Sequence, residues 1–487
     1  MKRITSAREL GKLNLGKHAY ALFVLCATTA IGLPAQTFTT LISLDGTNGA
    51  SPYAMSLIQA TNGDFYGTTL SGGAYGGGTV FKITPSGTLT TLHSFCAQSG
   101  CTDGDEPYQG LVQATNGNFY GTTLGGGAYG NGTVFKITPS GTLTTLHGFD
   151  GTDGSLPLSI LVQATNQNFY GTACSGGANN AGTVFEITPA GTLTTLHSFD
   201  GTDGSCPDAG LVKATNENFY GTTLSGGAYG YGTVFKITPS GTLTTLHSFC
   251  ALSGCPDGYG HYNVLIQATN GNLYGTTAGG GAGGVSWCDD GGGEGWGTVF
   301  EITPSGTLTT LHTFDGTDGS VPDAGLVQAT NGNFYGTTAC GGANNAGTVF
   351  EITLGGTLTT LHSFEGPSPE GAGANGGLAQ ATNGSFYGTT TAGGANNDGT
   401  VFRLSVGLGP FVETQTTSGK VGAAVKILGT DLTGATSVSF NGTAATFTVV
   451  SSSLITTTVP TGADTGTVQV VTPGGKLSSN VPFRVLP

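Results

Sequence analysis

The chain predicts an all-β protein: a seven-bladed β-propeller closed by its N-terminal strand, followed by a small immunoglobulin-like β-sandwich. Three observations carry this reading. Three phrases recur seven times each: Thr-Thr-Leu, with leucines running from Leu41 to Leu361; Phe-Tyr-Gly-Thr, with tyrosines from Tyr66 to Tyr387 and Leu273 replacing the phenylalanine once; and Gly-Thr-Val-Phe, ending at residues from Phe81 to Phe402. Each period of roughly 50 residues holds four β-like runs, the content of one propeller blade. The phase of the copies is the third observation. The series opens on an isolated fourth run, residues 37–44, and ends on an isolated third run, Gly399-Thr-Val-Phe-Arg-Leu404, so the two pieces complete one blade and leave no open edge.

The first element, residues 1–35, carries Lys2, Arg3, Arg8, Lys12 and Lys17, then an apolar run from Ala19 to Leu33, then Pro34-Ala35-Gln36. A basic region, an apolar core and a small residue before the cut read as a secretory signal peptide. The apolar run is short of the ~20 residues that a spanning helix needs. The propeller is expected over residues 36–407.

Within it, the repeat at residues 110–149 is representative. Residues 111–115 form a first strand, Asn116-Gly117 a two-residue turn of the type that needs positive φ, and residues 118–124 a second strand. A glycine-rich loop, residues 125–132, leads to the third strand at 133–138. Pro139-Ser140-Gly141 then turns the chain into the fourth, residues 142–149. In two repeats Asn166-Gln167 and Asn216-Glu217 stand where Asn-Gly is expected, so those turns must hold a strained residue or change type. A four-stranded sheet with two apolar faces must stack on neighbours. Phe119, Phe135, Phe149 and their equivalents supply the packing, and the repeated tyrosines read as core. The glycine-rich loops and the connections between blades emerge on one face, the tight turns on the other.

Beyond about residue 407 the phrases stop, and residues 408–487 read as about seven short strands, the size of a small sandwich. The segments Val421-Gly-Ala-Ala-Val-Lys-Ile-Leu-Gly-Thr430 and Val459-Pro-Thr-Gly-Ala-Asp-Thr-Gly466 resemble the IPT/TIG family of immunoglobulin-like domains. The repeats, through Gly-Thr-Val-Phe-Lys-Ile-Thr-Pro-Ser-Gly and Asn-Phe-Tyr-Gly-Thr-Thr, are similar to the GloVer (Gloeobacter/Verrucomicrobia-type) tandem-repeat family of exported bacterial proteins. That resemblance implies a secreted or bacterial cell-surface location and no established reaction. It often comes with a C-terminal sorting tail, which is not expected of Val485-Leu486-Pro487.

With 88 glycines in 487 residues and only 9% charged residues, the composition favours short strands joined by tight turns. The formal charge of −14 becomes about −18 when residues 1–35 are removed, which excludes nucleic acid and anionic lipid as partners. No membrane span is expected after cleavage, and the chain reads as a monomer. Eight cysteines then remain. Cys96 with Cys101 and Cys250 with Cys255 share one spacing at one repeat position and are expected to clip their own loops; Cys174 with Cys206 and Cys288 with Cys340 are expected to join adjacent blades.

Candidate site residues gather on the long-loop face. The stretched loop at 281–296 holds both tryptophans, Trp287 and Trp296, with Asp289, Asp290 and Glu294. Aromatic faces beside carboxylates suit stacking on a sugar while binding its hydroxyls, and packing beneath the loop is the other reading. Tyr75, Tyr129 and Tyr229 occupy the equivalent loop in three repeats, where three others carry Asn179-Asn180, Asn344-Asn345 and Asn396-Asn397. The six repeated histidines, such as His93 and His147, sit in successive blades too far apart to share a metal. Asp150 with Asp153, Asp200 with Asp203 and Asp315 with Asp318 are spaced for calcium but lack a third carboxylate, so a turn is the better reading and no cofactor is expected. No hydrolase serine or cysteine motif and no phosphate-binding loop occurs. The sequence thus points to a non-enzymatic binding or scaffold protein for polysaccharide or a surface protein. The alternative is a carbohydrate-active enzyme, a glycoside hydrolase or lyase, with its site at 281–296.

Overall fold

A computed structural model describes residues 36–260, 264–281, 295–366 and 368–487. Among the described residues there is no helix, and none therefore long and apolar enough to cross a membrane. The chain lays down four-stranded antiparallel sheets in a propeller-like succession, seven of them before residue 406.

One sheet shows how the sequence builds them all. Its strands are Val112–Gln113, Phe119–Thr123, Thr133–Ile137 and Leu143–Gly148, hydrogen-bonded in that order. Every residue of Phe119–Thr123 is buried, because both faces are covered by neighbouring sheets. Tyr120 stacks on Phe169 of the next sheet at 4.0 Å, and Tyr66 of the preceding sheet stacks on Phe119 at the same distance. The glycine between tyrosine and threonine makes room for the third strand: a Cβ on Gly121 would lie 2.7 Å from Cζ of Phe135.

The first strand is shorter than residues 111–115, and the turn after it is not a two-residue one. The Ala114 amide donates to Asn118 O, and the Gly117 amide donates back to Ala114 O, so Thr115 and Asn116 already belong to the turn. Positive φ is needed at the last position alone, +86° at Gly117. Gln167 and Glu217 take that position in their repeats at +69° and +67°, so these two turns keep the type and hold the strained residue. The turn asparagine also satisfies the buried tyrosine: all seven Asn side chains donate to the Tyr hydroxyls at 2.7–3.2 Å. The tyrosines are core residues, as expected.

The last sheet combines Ala379–Gln380, Phe386–Thr390 and Thr400–Ser405 with Thr37–Ser43 from the start of the chain. Thr37 pairs with Ser405 and Ser43 with Thr400, with a bulge between Thr40 and Ile42. This sheet also meets the first one. Phe65 stacks on Tyr387 at 4.1 Å, and Gln59 accepts from the Thr382 amide at 2.9 Å. The same glutamine link joins five other pairs of sheets. Where Lys213 replaces the glutamine, it turns instead to Glu217 at 2.6 Å.

Residues 413–486 form two more four-stranded sheets face to face. One contains Ala424–Leu428 and Leu454–Thr458, the other Ser437–Phe440 and Val468–Thr472, around Val425, Ile427, Phe440, Ile455, Val470 and Phe483. This sandwich rests on the tight-turn end of the repeats. Gln415 Nε2 donates to Ala114 O at 3.1 Å, Lys426 Nζ to Thr115 O at 2.9 Å, and Ser453 Oγ to Thr61 O at 3.1 Å. The Thr430 and Thr382 hydroxyls meet at 2.7 Å, and the Arg484 guanidinium donates to Thr215 O and pairs with Glu217. Turns of four different sheets are thereby tied to one domain.

Candidate functional site

The end opposite the sandwich is built from the loops between sheets. In the loop after Phe149, Asp150 Oδ1 accepts from the Thr152 amide and hydroxyl at 2.8 and 2.7 Å and from the Asp153 amide at 3.3 Å. These bonds hold the Asp150 carboxyl below the usual carboxylate range. Asp153 Oδ2 lies 2.6 Å from His147 Nε2. The pattern repeats at Asp200, Asp203 and His197 and at Asp315, Asp318 and His312. His93, His247 and His362 pair likewise with Asp103, Asp257 and Glu370. Each histidine is pinned to the carboxylate of its own loop, so these aspartates tie turns and are not gathered around a common point.

The backbone just past each loop is less ordinary. Ser51, Glu106, Leu156, Cys206 and Val321 all adopt φ between +50° and +57°, and each precedes a proline. For a β-branched residue such as Val321 this is a costly conformation. Bonds on both sides hold it: the Val321 amide donates to Trp296 O at 3.1 Å, and its carbonyl accepts from the Ala339 amide at 2.9 Å. The residue after the proline is then presented at the axis of the sheets, giving Tyr53, Tyr108, Leu158, Asp208 and Asp323; Asn375 takes the equivalent place after Ala374.

Their mutual effects show the convergence. The Tyr53 and Tyr108 rings lie 5.3 Å apart and tilted by 47°. Burial, then the adjoining Tyr53 phenol, then the Asp208 and Asp323 carboxyls from two further sheets push the Tyr108 hydroxyl far above its usual range. Asp208 is 5% exposed, and burial reinforced by the like charge of Asp323 raises its carboxyl to about 8. Asp208 is therefore held as the neutral acid at pH 7. A cleft of about 270 Å³ lined by Tyr53, Asp323, Cys340, Asn345, Asn375 and Thr391 opens beside the group. An axial cavity of about 230 Å³ is lined by Ala54, Gln109, Ile160, Val264, Gly325 and Gly377, residues of six different sheets.

Of the residues singled out in the sequence, Trp287, Cys288, Asp289, Asp290 and Glu294 lie outside the described residues. Trp296 is half-buried against the cluster that contains Phe314 and Leu326, the packing alternative for this tryptophan. Tyr75, Tyr129 and Tyr229 stand out from their loops, 59, 66 and 51% exposed. Their asparagine counterparts are structural: Asn180 Oδ1 accepts from the Gly176 amide and Asn179 Nδ2 donates to Phe199 O, with the same bonds at Asn344-Asn345. Disulfides join Cys96 to Cys101, Cys250 to Cys255 and Cys174 to Cys206, the last bridging two sheets with Cα atoms 3.9 Å apart. Cys340 is also disulfide-bonded.

Tyr53, Tyr108, Asp208, Asp323 and Asn375 are not among the residues that stand out in the sequence. A signal was present: at one fixed phase a proline is followed by tyrosine twice, leucine once and aspartate twice, among repeats that otherwise copy one another.

The model of the Gloeobacter/Verrucomicrobia repeat matches residues 28–168, 159–286 and 286–450. No curated protein matches the chain. Among solved structures, a fungal alcohol oxidase of the AA5 family in complex with copper aligns over 93% of this chain and 99% of its own, at 12% identity and a TM-score of 0.53. Candidate 6-phosphogluconolactonases from Bacteroides uniformis and Bacteroides fragilis align at 15 and 16% identity, covering 67 and 75% of this chain and 88 and 91% of theirs, each with a TM-score of 0.44. At these identities the likeness concerns the fold alone.

Proposed function

Since the chain belongs to the Gloeobacter/Verrucomicrobia repeat family and its repeats differ most at one end, we propose that it is an exported, non-enzymatic binding protein for a hydroxyl-rich ligand such as carbohydrate. In this reading residues 1–35 are a signal peptide, residues 36–407 a seven-bladed propeller closed by the N-terminal strand, and residues 408–487 an IPT/TIG immunoglobulin-like domain. The mature protein acts as a secreted or cell-surface monomer. The observation that carries the reading is the convergence of Tyr53, Tyr108, Asp208, Asp323 and Asn375 at the end away from the sandwich, with exposed Tyr75, Tyr129 and Tyr229 on loops of that same end. Ring faces with few, well-placed polar groups are the chemistry of sugar recognition. A glycan array followed by calorimetry tests it. Binding that weakens about tenfold or more in Tyr108→Ala supports the reading, and no glycan bound in any format overturns it.

One observation favours a second reading, a carbohydrate-active enzyme. A carboxyl kept protonated at neutral pH near a second carboxylate has the form of a general acid and its partner. Turnover of a polysaccharide abolished by both Asp208→Asn and Asp323→Asn would replace the binding reading with this one.

A further inference from the structure

The cleft of about 270 Å³ is a wedge between the last sheet and the one before it, and the chain departs from its own repeat to form it. Leu70, Leu124 and Leu224 directly follow the second strand of their sheets. Ala339 and Thr391 hold that position on the two sides of the cleft. Gly373, at its wall, stands where five other sheets carry Ser51, Glu106, Leu156, Cys206 and Val321. The frame is kept all the same: the Gly373 amide donates to Ala346 O at 3.2 Å, and its carbonyl accepts from the Thr391 amide at 2.9 Å, as at Val321. Larger side chains are thus left out of a backbone that carries them elsewhere, where close packing is the rule.

The wall sets what fits. Ala339, Ala346, Ala372 and Ala392 give it small apolar surfaces, and Tyr53 adds a ring. Two polar atoms stand among them: Asn375 Oδ1 and Thr391 Oγ1 are buried and have no hydrogen-bond partner among the described residues. Leaving such oxygens unmet is costly, and the repeat makes it avoidable, since leucine fills the place of Thr391 in three sheets and of Asn375 at Leu158. The amide oxygen needs a donor, and the threonine hydroxyl can give or take a hydrogen bond, so hydroxyls on a ligand meet both. The Asp323 carboxyl, also in the wall, disfavours an anion. The volume lies just below the range of about 300–1,000 Å³ typical of drug-sized ligands, which suits one ring and not a chain. A single ring with C–H faces, a rim of hydroxyls and no negative charge is a neutral pyranose.

We propose that this wedge holds one neutral sugar residue, with Asn375 and Thr391 bonding its hydroxyls, so that a free monosaccharide binds without the rest of a chain. This rests on the reading of that end as the ligand face. The test is saturation-transfer NMR on the intact protein with glucose, galactose, mannose and xylose, and with glucuronate and galacturonate as anionic counterparts of the first two. Titration of the sugars that give a signal supplies their affinities.

The expected result is binding of at least one neutral monosaccharide and of neither uronate. That binding weakens about tenfold or more in Thr391→Val, which removes the hydroxyl and keeps the shape, and in Ala339→Leu, which restores the residue of three other repeats. Melting temperatures of both variants should match or exceed that of the parent, a result that separates loss of the site from loss of the fold. A uronate bound as tightly as its neutral counterpart overturns the proposal. Oligosaccharides bound on an array with no monosaccharide signal, or monosaccharide binding unchanged in both variants, overturns the wedge site while leaving carbohydrate binding intact. Silence of the monosaccharides and of the array overturns both.

Discussion

The two ends of the repeat array are made from the same seven copies and have come to opposite results. At the tight-turn end every tyrosine hydroxyl accepts from an asparagine, six of seven glutamine links are kept, and the sandwich lies across four of the turns. At the other end five sheets share the same positive-φ residue and proline, yet they present tyrosine, leucine and aspartate in turn, and a sixth presents Asn375 after Ala374. Repetition marks where side chains hold sheets together. Departure from it, on an unchanged frame, marks where a side chain is available for something else.

If that contrast is right, substitutions should be severe at shared positions and mild or even stabilising at divergent ones. The largest effect is expected from deleting residues 37–44, which strips the partner of Thr400–Ser405 and exposes its edge. Size-exclusion chromatography should show aggregates, and a soluble protein of unchanged melting temperature would refute the closing role of that strand. Next comes Phe65→Ala, which removes a fully buried ring from the contact between first and last sheets and should cost about 3–5 kcal/mol in denaturant unfolding.

At the divergent end the sign reverses. The Asp208 carboxyl is raised from 3.8 to about 8, so between these values the folded state binds more protons than the unfolded one. Stability from this group is therefore full below about pH 4 and is lost as pH rises toward 8. Asp208→Asn should flatten that slope and raise stability at pH 8 by roughly 1–3 kcal/mol. Melting curves from pH 4 to 9 that run parallel in both proteins would contradict it.

Smaller effects sharpen the picture. Gln167→Gly relieves a positive φ of +69° and should stabilise by about 1 kcal/mol, less whatever its side-chain bond to the Thr115 hydroxyl contributes. Urea unfolding measures the difference. Tyr129→Ala, at a side chain 66% exposed, should change stability by less than about 0.5 kcal/mol while weakening ligand binding.

Much of the fold was legible because it is written in short-range patterns. The hairpin runs, the strain at Gln167 and Glu217 and the loop disulfide Cys96–Cys101 each arise from neighbours a few residues apart. Cys174–Cys206 was legible through repeat phase, which places both loops on one end. The first strand is only two residues long because the turn starts at Ala114, a matter of local hydrogen bonding that the apolar pattern does not reveal. The axial group was illegible for a different reason. Tyr53, Tyr108, Asp208 and Asp323 are separated by scores of residues, and nothing in the neighbourhood of any one of them announces the others.

The pairing of Thr37–Ser43 with Thr400–Ser405 has a consequence in time as well as in space. The first strand to be made waits for the last repeat before it has a partner, a loop closure spanning most of the chain. Until then one sheet lacks its outer strand, and the row of stacked aromatic rings ends at Phe65 on one side and Tyr387 on the other. Before the two termini pair, the array therefore has two sticky ends. Completion of folding is a race between those ends meeting each other and meeting another molecule.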